Sequence, residues 1–238
     1  MRREYPKVSG RGRRTVVTLL VLGAVVAAAD FGTRALAEAR LAAGMRDSLG
    51  LAEAPELELA GFPFLLQVAR GRLERVSMDL PDVTLDGLRF DRVTLSLEDL
   101  DFDGLELLGG AGEVAVGGGR AEAVLSQDTL SAYLQDRGTP VLVRLPGPGV
   151  RVSTRISHGG DTTTATAEGR IGVEEATLVF SPDRVDIEGS VGVPAAALAF
   201  EVPLPDVVRG MRYETVSVHD GIAAIEASVD EARLDLGT

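Results

Sequence analysis

The chain has 238 residues, a formal net charge of −12 and no cysteine. The charge is uneven, because residues 1–29 carry six Lys/Arg and one Glu, whereas residues 30–238 carry 18 Lys/Arg and 35 Asp/Glu. This composition excludes disulfides, thiolate chemistry and cysteine-based metal sites, and so acidic a body is unsuited to nucleic acid, which requires a basic footprint.

The N-terminal segment has the layout of an export signal. A basic head precedes an uncharged, mostly apolar run over Thr15–Ala29. This run is as long as a signal-peptide core and slightly short for a transmembrane helix, which needs about 20 residues. Ala27 and Ala29 offer a cleavage site, but the helical pattern continues beyond them. We therefore predict a signal anchor or signal peptide over residues 1–29, favour the anchor, and expect residues 30–238 to form one domain outside the cytoplasm, on the cell membrane.

An amphipathic helix is predicted from Asp30 to Leu49. Its apolar residues recur every three or four positions and would share one face. These residues are Phe31, Ala35, Ala39, Ala42, Met45 and Leu49. Arg34 and Glu38 are spaced to form an ion pair away from that face. Gly50 is placed to end the helix.

An unusually apolar cluster follows a short alternating segment, Glu56–Ala60, which predicts a strand. The cluster consists of Phe62, Phe64, Leu65 and Leu66. Pro63 suits the start of a helix and Gly71 its exit, so a two-turn helix is predicted here. Three interpretations of the cluster are open: ordinary core, the lining of a lipid groove, or a tip that enters a bilayer.

From Leu73 onward the dominant period is two, which predicts strands with one apolar face. Asp220-Gly221 stands between two such runs and is typical of a two-residue hairpin. One helix interrupts the strands, with Ser126 as its N-cap, Asp128 in its first turn and Gly138 at its end. The pattern as a whole predicts one α+β domain of mostly antiparallel sheet, with an N-terminal helix and two short ones.

The residues offer little support for catalysis or metal binding. His158 and His219 lie in turn contexts, without a G-x-S-x-G motif or a zinc spacing. Asp99–Gly104 begins like a calcium loop, but no glutamate follows at position twelve, so we interpret it as an acidic strand end. Gly109–Gly112 and Gly117–Gly119 lack the Lys and Ser/Thr of a phosphate loop and are interpreted as hairpin glycines. We predict no catalytic residues, no metal site and no cofactor.

The apolar cluster also carries a resemblance to a known family. Gly61-Phe62-Pro63-Phe64-Leu65, followed by Gly71 and Val76, resembles the LmeA family of phospholipid-binding envelope proteins of actinobacteria. Further similar segments are the helix Asp128–Gln135, the proline-rich strand Val202–Pro205 and the closing hairpin at Val216–Gly221. The resemblance extends over nearly the whole chain from about Asp30.

This resemblance implies a non-enzymatic, membrane-associated protein that binds or transfers phospholipid and contributes to cell-envelope assembly. The implied fold is a curved antiparallel sheet wrapped around a helix, as in tubular lipid-binding modules. The residues we expect to contact lipid are Phe62, Phe64, Leu65, Leu66, Arg70 and Arg72. The alternative is a structural envelope protein that binds another protein through its sheet or its acidic surface.

Overall fold

The computed structural model describes residues 10–103, 113–158, 161–187, 198–205 and 210–235 of the chain. These residues form three helices, α1 (Gly10–Leu49), α2 (Phe64–Ala69) and α3 (Gln127–Asp136), and twelve strands. The strands are β1 (Glu56–Ala60), β2 (Arg72–Leu85), β3 (Leu88–Phe102), β4 (Glu113–Ser126), β5 (Val141–Arg144), β6 (Val150–His158), β7 (Asp161–Glu174), β8 (Thr177–Ile187), β9 (Phe200–Pro203), β10 (Met211–His219), β11 (Ile222–Val229) and β12 (Ala232–Asp235).

The strands form two antiparallel sheets. The seven-stranded sheet has the order β1-β2-β3-β4-β11-β10, and β12 also pairs with β4. The five-stranded sheet has the order β5-β6-β7-β8-β9. Asp82 in β2 and Asp99 in β3 adopt positive φ angles of 50° and 51°, so the regular pleat of these long strands is interrupted there, while the strand pairing keeps the same register on both sides.

Helix α3 lies between the two sheets. Its Leu130 and Leu134 are buried in a hydrophobic core to which both sheets contribute. The hydroxyl of Ser131 accepts a hydrogen bond from the backbone N–H of Val143 at 2.9 Å and donates to the carbonyl of Gln127 at 2.7 Å, which ties the helix to β5. The expected α+β fold with curved antiparallel sheets is therefore confirmed.

Several local predictions are also confirmed. Strand β1 has the bounds that the alternation predicts, and Gly50 follows α1 with a φ of 64°. The Ser126 hydroxyl caps α3 by accepting from the N–H of Thr129 at 3.2 Å. Asp220 and Gly221 join β10 to β11 with φ angles of 48° and 87°, as a type I′ turn requires.

The interpretation of Gly117–Gly119 as hairpin glycines is wrong. These glycines lie inside β4, whereas Gly109–Gly112 falls outside the described residues. A Cβ atom at Gly119 would stand 2.6 Å from the carbonyl oxygen of Ser96 and 2.9 Å from Cδ2 of Leu97. The glycine is therefore required by the close approach of β3 to β4, and not by a turn.

The predicted apolar face of α1 is only partly correct. Ala42 and Met45 do pack against the domain, but Phe31, Ala35 and Ala39 are exposed. The packed face instead carries polar side chains: Asp30, Arg34 and Glu38. The reason is that α1 covers β1, an edge strand whose backbone groups need partners. Glu38 Oε1 accepts from the N–H of Leu59 at 2.8 Å.

Candidate functional site

An apolar cavity of about 270 Å³ lies against the inner face of the seven-stranded sheet and is partly open to the surface. Side chains from β2, β3, β4, β10 and β11 line it, and Met45 near the end of α1 contributes from outside the sheet. Among the described residues that line it, Tyr213 alone carries a polar side-chain oxygen or nitrogen. The volume is close to the lower limit of small-molecule pockets, which begin at about 300 Å³.

The cavity exists because short side chains meet at the middle of this face. Ala121 in β4 stands opposite Ala227 in β11, and it also pairs with Leu95 in β3. Ala123 is the next inward residue of β4 and also lines the cavity. Longer side chains at these positions would fill the space, as they do in the two hydrophobic clusters on either side of it.

Flexible side chains form part of the wall. Met45, Met78 and Met211 all line the cavity, and Met1 is the only other methionine of the chain. Methionine side chains are unbranched and polarisable, so they adapt to ligands of irregular shape. A wall of this kind suits a hydrocarbon chain better than a rigid ligand that needs directed polar contacts.

Tyr213 is held in place by a hydrogen bond. Its hydroxyl donates to the carbonyl oxygen of Pro205 at 2.6 Å, so the ring faces the cavity while the oxygen is satisfied. Pro205 is buried beside the end of β9, and β10 shifts register immediately after Tyr213. The hydrogen bond therefore links the cavity wall to the segment that follows the five-stranded sheet.

None of the six residues predicted from the sequence lines this cavity. Phe64 is buried in the smaller hydrophobic cluster, at the end of the seven-stranded sheet that is covered by α2. Phe62, Leu65 and Leu66 are exposed on α2 and just before it. Arg70 and Arg72 are exposed where α2 leads into β2, and Arg72 pairs with Asp101 at 2.7 Å.

The short helix α2 is fastened to α1 through Asp30. Only 2% of Asp30 is exposed, and its two carboxylate oxygens accept from the N–H groups of Phe64 and Leu65, each at 2.8 Å. The ring of Phe31 stacks on Phe62 with 6.0 Å between centroids. The carboxylate thus supplies the acceptors that the first turn of α2 lacks in its own sequence.

Sequence reasoning expected a lipid groove but did not identify the residues that line the cavity, and it missed the role of Asp30. The signal for the cavity is the run of inward alanines and methionines on neighbouring strands, which is recognisable only once strand order is known. The signal for Asp30 is a lone carboxylate directly after an apolar run, which by itself indicates only where that run ends. Both sites depend on contacts between segments that are distant in the sequence.

Helix α1 presents a bare apolar surface before Asp30. Leu20, Val21, Leu22, Val25 and Val26 are all exposed. Within the described residues, one helical stretch, Leu20–Asp47, is long and apolar enough to cross a membrane. A signal sequence near the N-terminus has the same length and composition.

Together the fold and the cavity define a class: an α+β protein whose curled antiparallel sheets border an apolar cavity suited to hydrocarbon. The chain matches the family described as LmeA-like phospholipid-binding over residues 28–235, and it belongs to that family. The match begins at the end of the apolar run and covers the whole sheet region. Comparisons with curated proteins and with solved structures give no match. Membership of this family supports phospholipid binding.

Proposed function

We propose that the protein binds phospholipid without catalysis at the outer face of the cytoplasmic membrane and so contributes to the assembly or maintenance of the cell envelope. The observation that supports this best is the apolar cavity, found in a chain that belongs to a phospholipid-binding family. Acyl-chain burial supplies the affinity, because each buried methylene is worth about 0.8 kcal/mol. The affinity therefore grows with the number of methylenes buried in the cavity and needs no specific polar contact.

The head group stays outside the cavity in this proposal. A lining without charged side chains offers no partner for a phosphate, and burying an unpaired charge is strongly unfavourable. Met45, Met78 and Tyr213 are partly exposed and lie where a chain could enter. Recognition then rests on the acyl chain, and an overall acidic protein can bind an anionic phospholipid because the charged group remains in solvent.

Helix α1 supports the proposed membrane location. Its exposed apolar run and the basic residues before it fit a single-pass anchor, with the arginines on the cytoplasmic side. The domain then stands outside the cytoplasm, where envelope lipids are within reach. This arrangement is the basis for the proposed envelope role.

Filling the cavity tests the lipid site. We expect the full-length protein, extracted in mild detergent and exchanged into a second detergent, to retain phospholipid in native mass spectrometry. The double variant Ala121→Leu/Ala227→Leu adds branched side chains at the centre of the cavity and should retain several-fold less. Ala115→Leu is the matched control, because Ala115 is also in β4 but is exposed on its outer side.

Equal lipid retention by the filled variant and the control would contradict the cavity as the binding site. A folded wild-type protein that retains no phospholipid would contradict the proposed function itself and would favour the alternative, in which the sheet or the acidic surface binds another protein. Intrinsic folding of each variant is checked by circular dichroism before the comparison.

A further inference from the structure

The residues around α2 form a second apolar surface, which is convex and exposed. Phe62, Leu65 and Leu66 project from it with 64%, 42% and 43% of their surfaces exposed, and Phe31 of α1 lies beside Phe62. We call these four residues the tip. We propose that the tip inserts into the outer head-group and acyl boundary of the same bilayer that α1 crosses, so that the domain is seated on the membrane at two adjoining points. This inference rests on the proposed membrane location.

Continuity with α1 identifies the occupant of this surface. The uncharged run of α1 ends at Ala29, and the tip is attached at the next two residues, through the Asp30 hydrogen bonds and the Phe31–Phe62 stack. When the run lies in hydrocarbon, the tip therefore lies at the level where hydrocarbon meets head groups. A short apolar helix at that level buries its exposed face about 5–10 Å into the boundary.

One basic side chain beside the tip suits a membrane surface. Arg70 follows α2, is exposed, and has no ion-pair partner among the described residues. Its guanidinium is therefore available to a lipid phosphate, to which arginine binds through paired N–H donors. The neighbouring Arg72 is paired with Asp101, so Arg70 supplies the basic contact beside the tip.

Two independent lengths separate the tip from the cavity. Asp30 and Met45 are 15 residues apart on one continuous helix, which corresponds to about 22 Å at 1.5 Å per residue. Leu97 also lines the cavity and pairs with Val76. Val76 is four residues from Arg72 on β2, which corresponds to about 13 Å at 3.3 Å per residue. The tip and the cavity are therefore two separate surfaces, one for the bilayer and one for the acyl chain of a bound lipid.

Single-cysteine labelling tests the seating of the tip, because the chain contains no cysteine of its own. Leu65→Cys, Leu142→Cys and Val25→Cys each receive an environment-sensitive fluorophore in the full-length protein. Leu142 lies on β5 and is 39% exposed, close to the 42% of Leu65, so it is a matched control. Val25 is 60% exposed on α1 and reports the anchor.

The labelled proteins are reconstituted in vesicles of phosphatidylcholine and phosphatidylglycerol that contain acyl-chain quenchers. We expect quenching at Val25 and Leu65, with the label at Leu65 at the shallower depth, and no quenching at Leu142. Quenching at Val25 with none at Leu65 would overturn the seated tip and leave the anchor standing. Absence of quenching at both positions would overturn the membrane location and the tip together. Lipid binding in the cavity would not be affected by that result, because lipid retention tests it separately.

A second measurement distinguishes the bilayer from a partner protein. The vesicles contain no other protein, so quenching at Leu65 there supports a lipid occupant directly. In the same vesicles, the double substitution Phe62→Ser/Leu66→Ser should reduce quenching at Leu65 and leave that at Val25 unchanged. Unchanged quenching at Leu65 would show that the label itself, and not the tip, is attracted to the bilayer.

Discussion

The five-stranded and seven-stranded sheets are built from the same alternation of apolar and polar residues, yet their inner faces are packed differently. In the five-stranded sheet, Val143, Val152 and Leu178 are completely buried against α3 and the opposite sheet. In the middle of the seven-stranded sheet, Ala121 and Ala227 leave room for the cavity. Alternation therefore determines which face is apolar, whereas side-chain volume determines whether the space beside that face is filled or left open to a ligand.

The largest expected effect is in the filled region. Leu178→Ala removes a fully buried side chain on β8 and should lower the free energy of unfolding by about 2–5 kcal/mol, because the surrounding core collapses only in part. Thermal and chemical unfolding of the full-length protein in detergent measure this loss. Lipid retained per folded molecule should not change, since Leu178 does not line the cavity.

Leu142→Ala is the control for this loss. Leu142 lies on the neighbouring β5 but is exposed, so the same change of side chain should cost within about 0.5 kcal/mol. Similar losses of unfolding free energy in the two variants would mean that the inner face of the five-stranded sheet is not closely packed. The two sheets would then not differ in packing.

A paired substitution examines the contrast directly. Ala167 on β7 is completely buried in the filled core, and Ala227 on β11 is buried at the cavity wall. Ala167→Leu forces extra volume into occupied space and should destabilise by about 1–3 kcal/mol. Ala227→Leu enters empty space and should change the free energy of unfolding by less than about 1 kcal/mol.

Chemical denaturation of the two lipid-free variants gives this comparison, because bound lipid would add its own stabilisation to the wild type. The free energy of unfolding should be higher for Ala227→Leu than for Ala167→Leu. The reverse order, or equal destabilisation, would indicate that the cavity is closed or absent in solution.

The local elements of this fold could be predicted from the sequence because local chemistry determines them. Glu56–Ala60 is bounded as its alternation indicates, the Ser126 cap satisfies its own helix, and Asp220-Gly221 adopts the positive φ angles of its turn. In each case the physical cause lies within a few residues of the element. The resemblance of the Gly61–Leu65 segment, confirmed by the family match, supplied the class of fold.

The division into two sheets and the cavity could not be predicted in the same way. The strand order places β11 between β4 and β10, so Ala121 and Ala227 become neighbours although 106 positions separate them. Periodicity alone also misplaced the packed face of α1, because it counts apolar residues only. The packed face is instead determined by backbone N–H groups of the edge strand β1 and of α2, which need acceptors. Glu38 and Asp30 on α1 supply these acceptors.

The smallest expected effect concerns the outward faces, where both sheets carry exposed cross-strand ion pairs, Arg72–Asp101 and Arg151–Glu168. The hydrogen bond from Arg72 holds the pKa of the Asp101 carboxyl below its usual value, and the Arg72 charge adds to this. A lowered pKa favours folding at neutral pH, and this contribution is lost as the pH falls through the folded-state pKa. Solvent screens the exposed pair, so the effect on stability should be slight.

Arg72→Gln should raise the pKa of Asp101 toward the usual value of an aspartate, as measured by carboxyl-carbon NMR during an acid titration. Arg70→Gln is the control, because the interactions that shift the pKa of Asp101 do not include Arg70. An unchanged pKa in Arg72→Gln would mean that the pair does not form in solution, and Arg72 would then be as free as Arg70 to bind a lipid phosphate. If the pair does form, a phosphate must displace Asp101 from Arg72, so head-group contact at the tip falls mainly to Arg70.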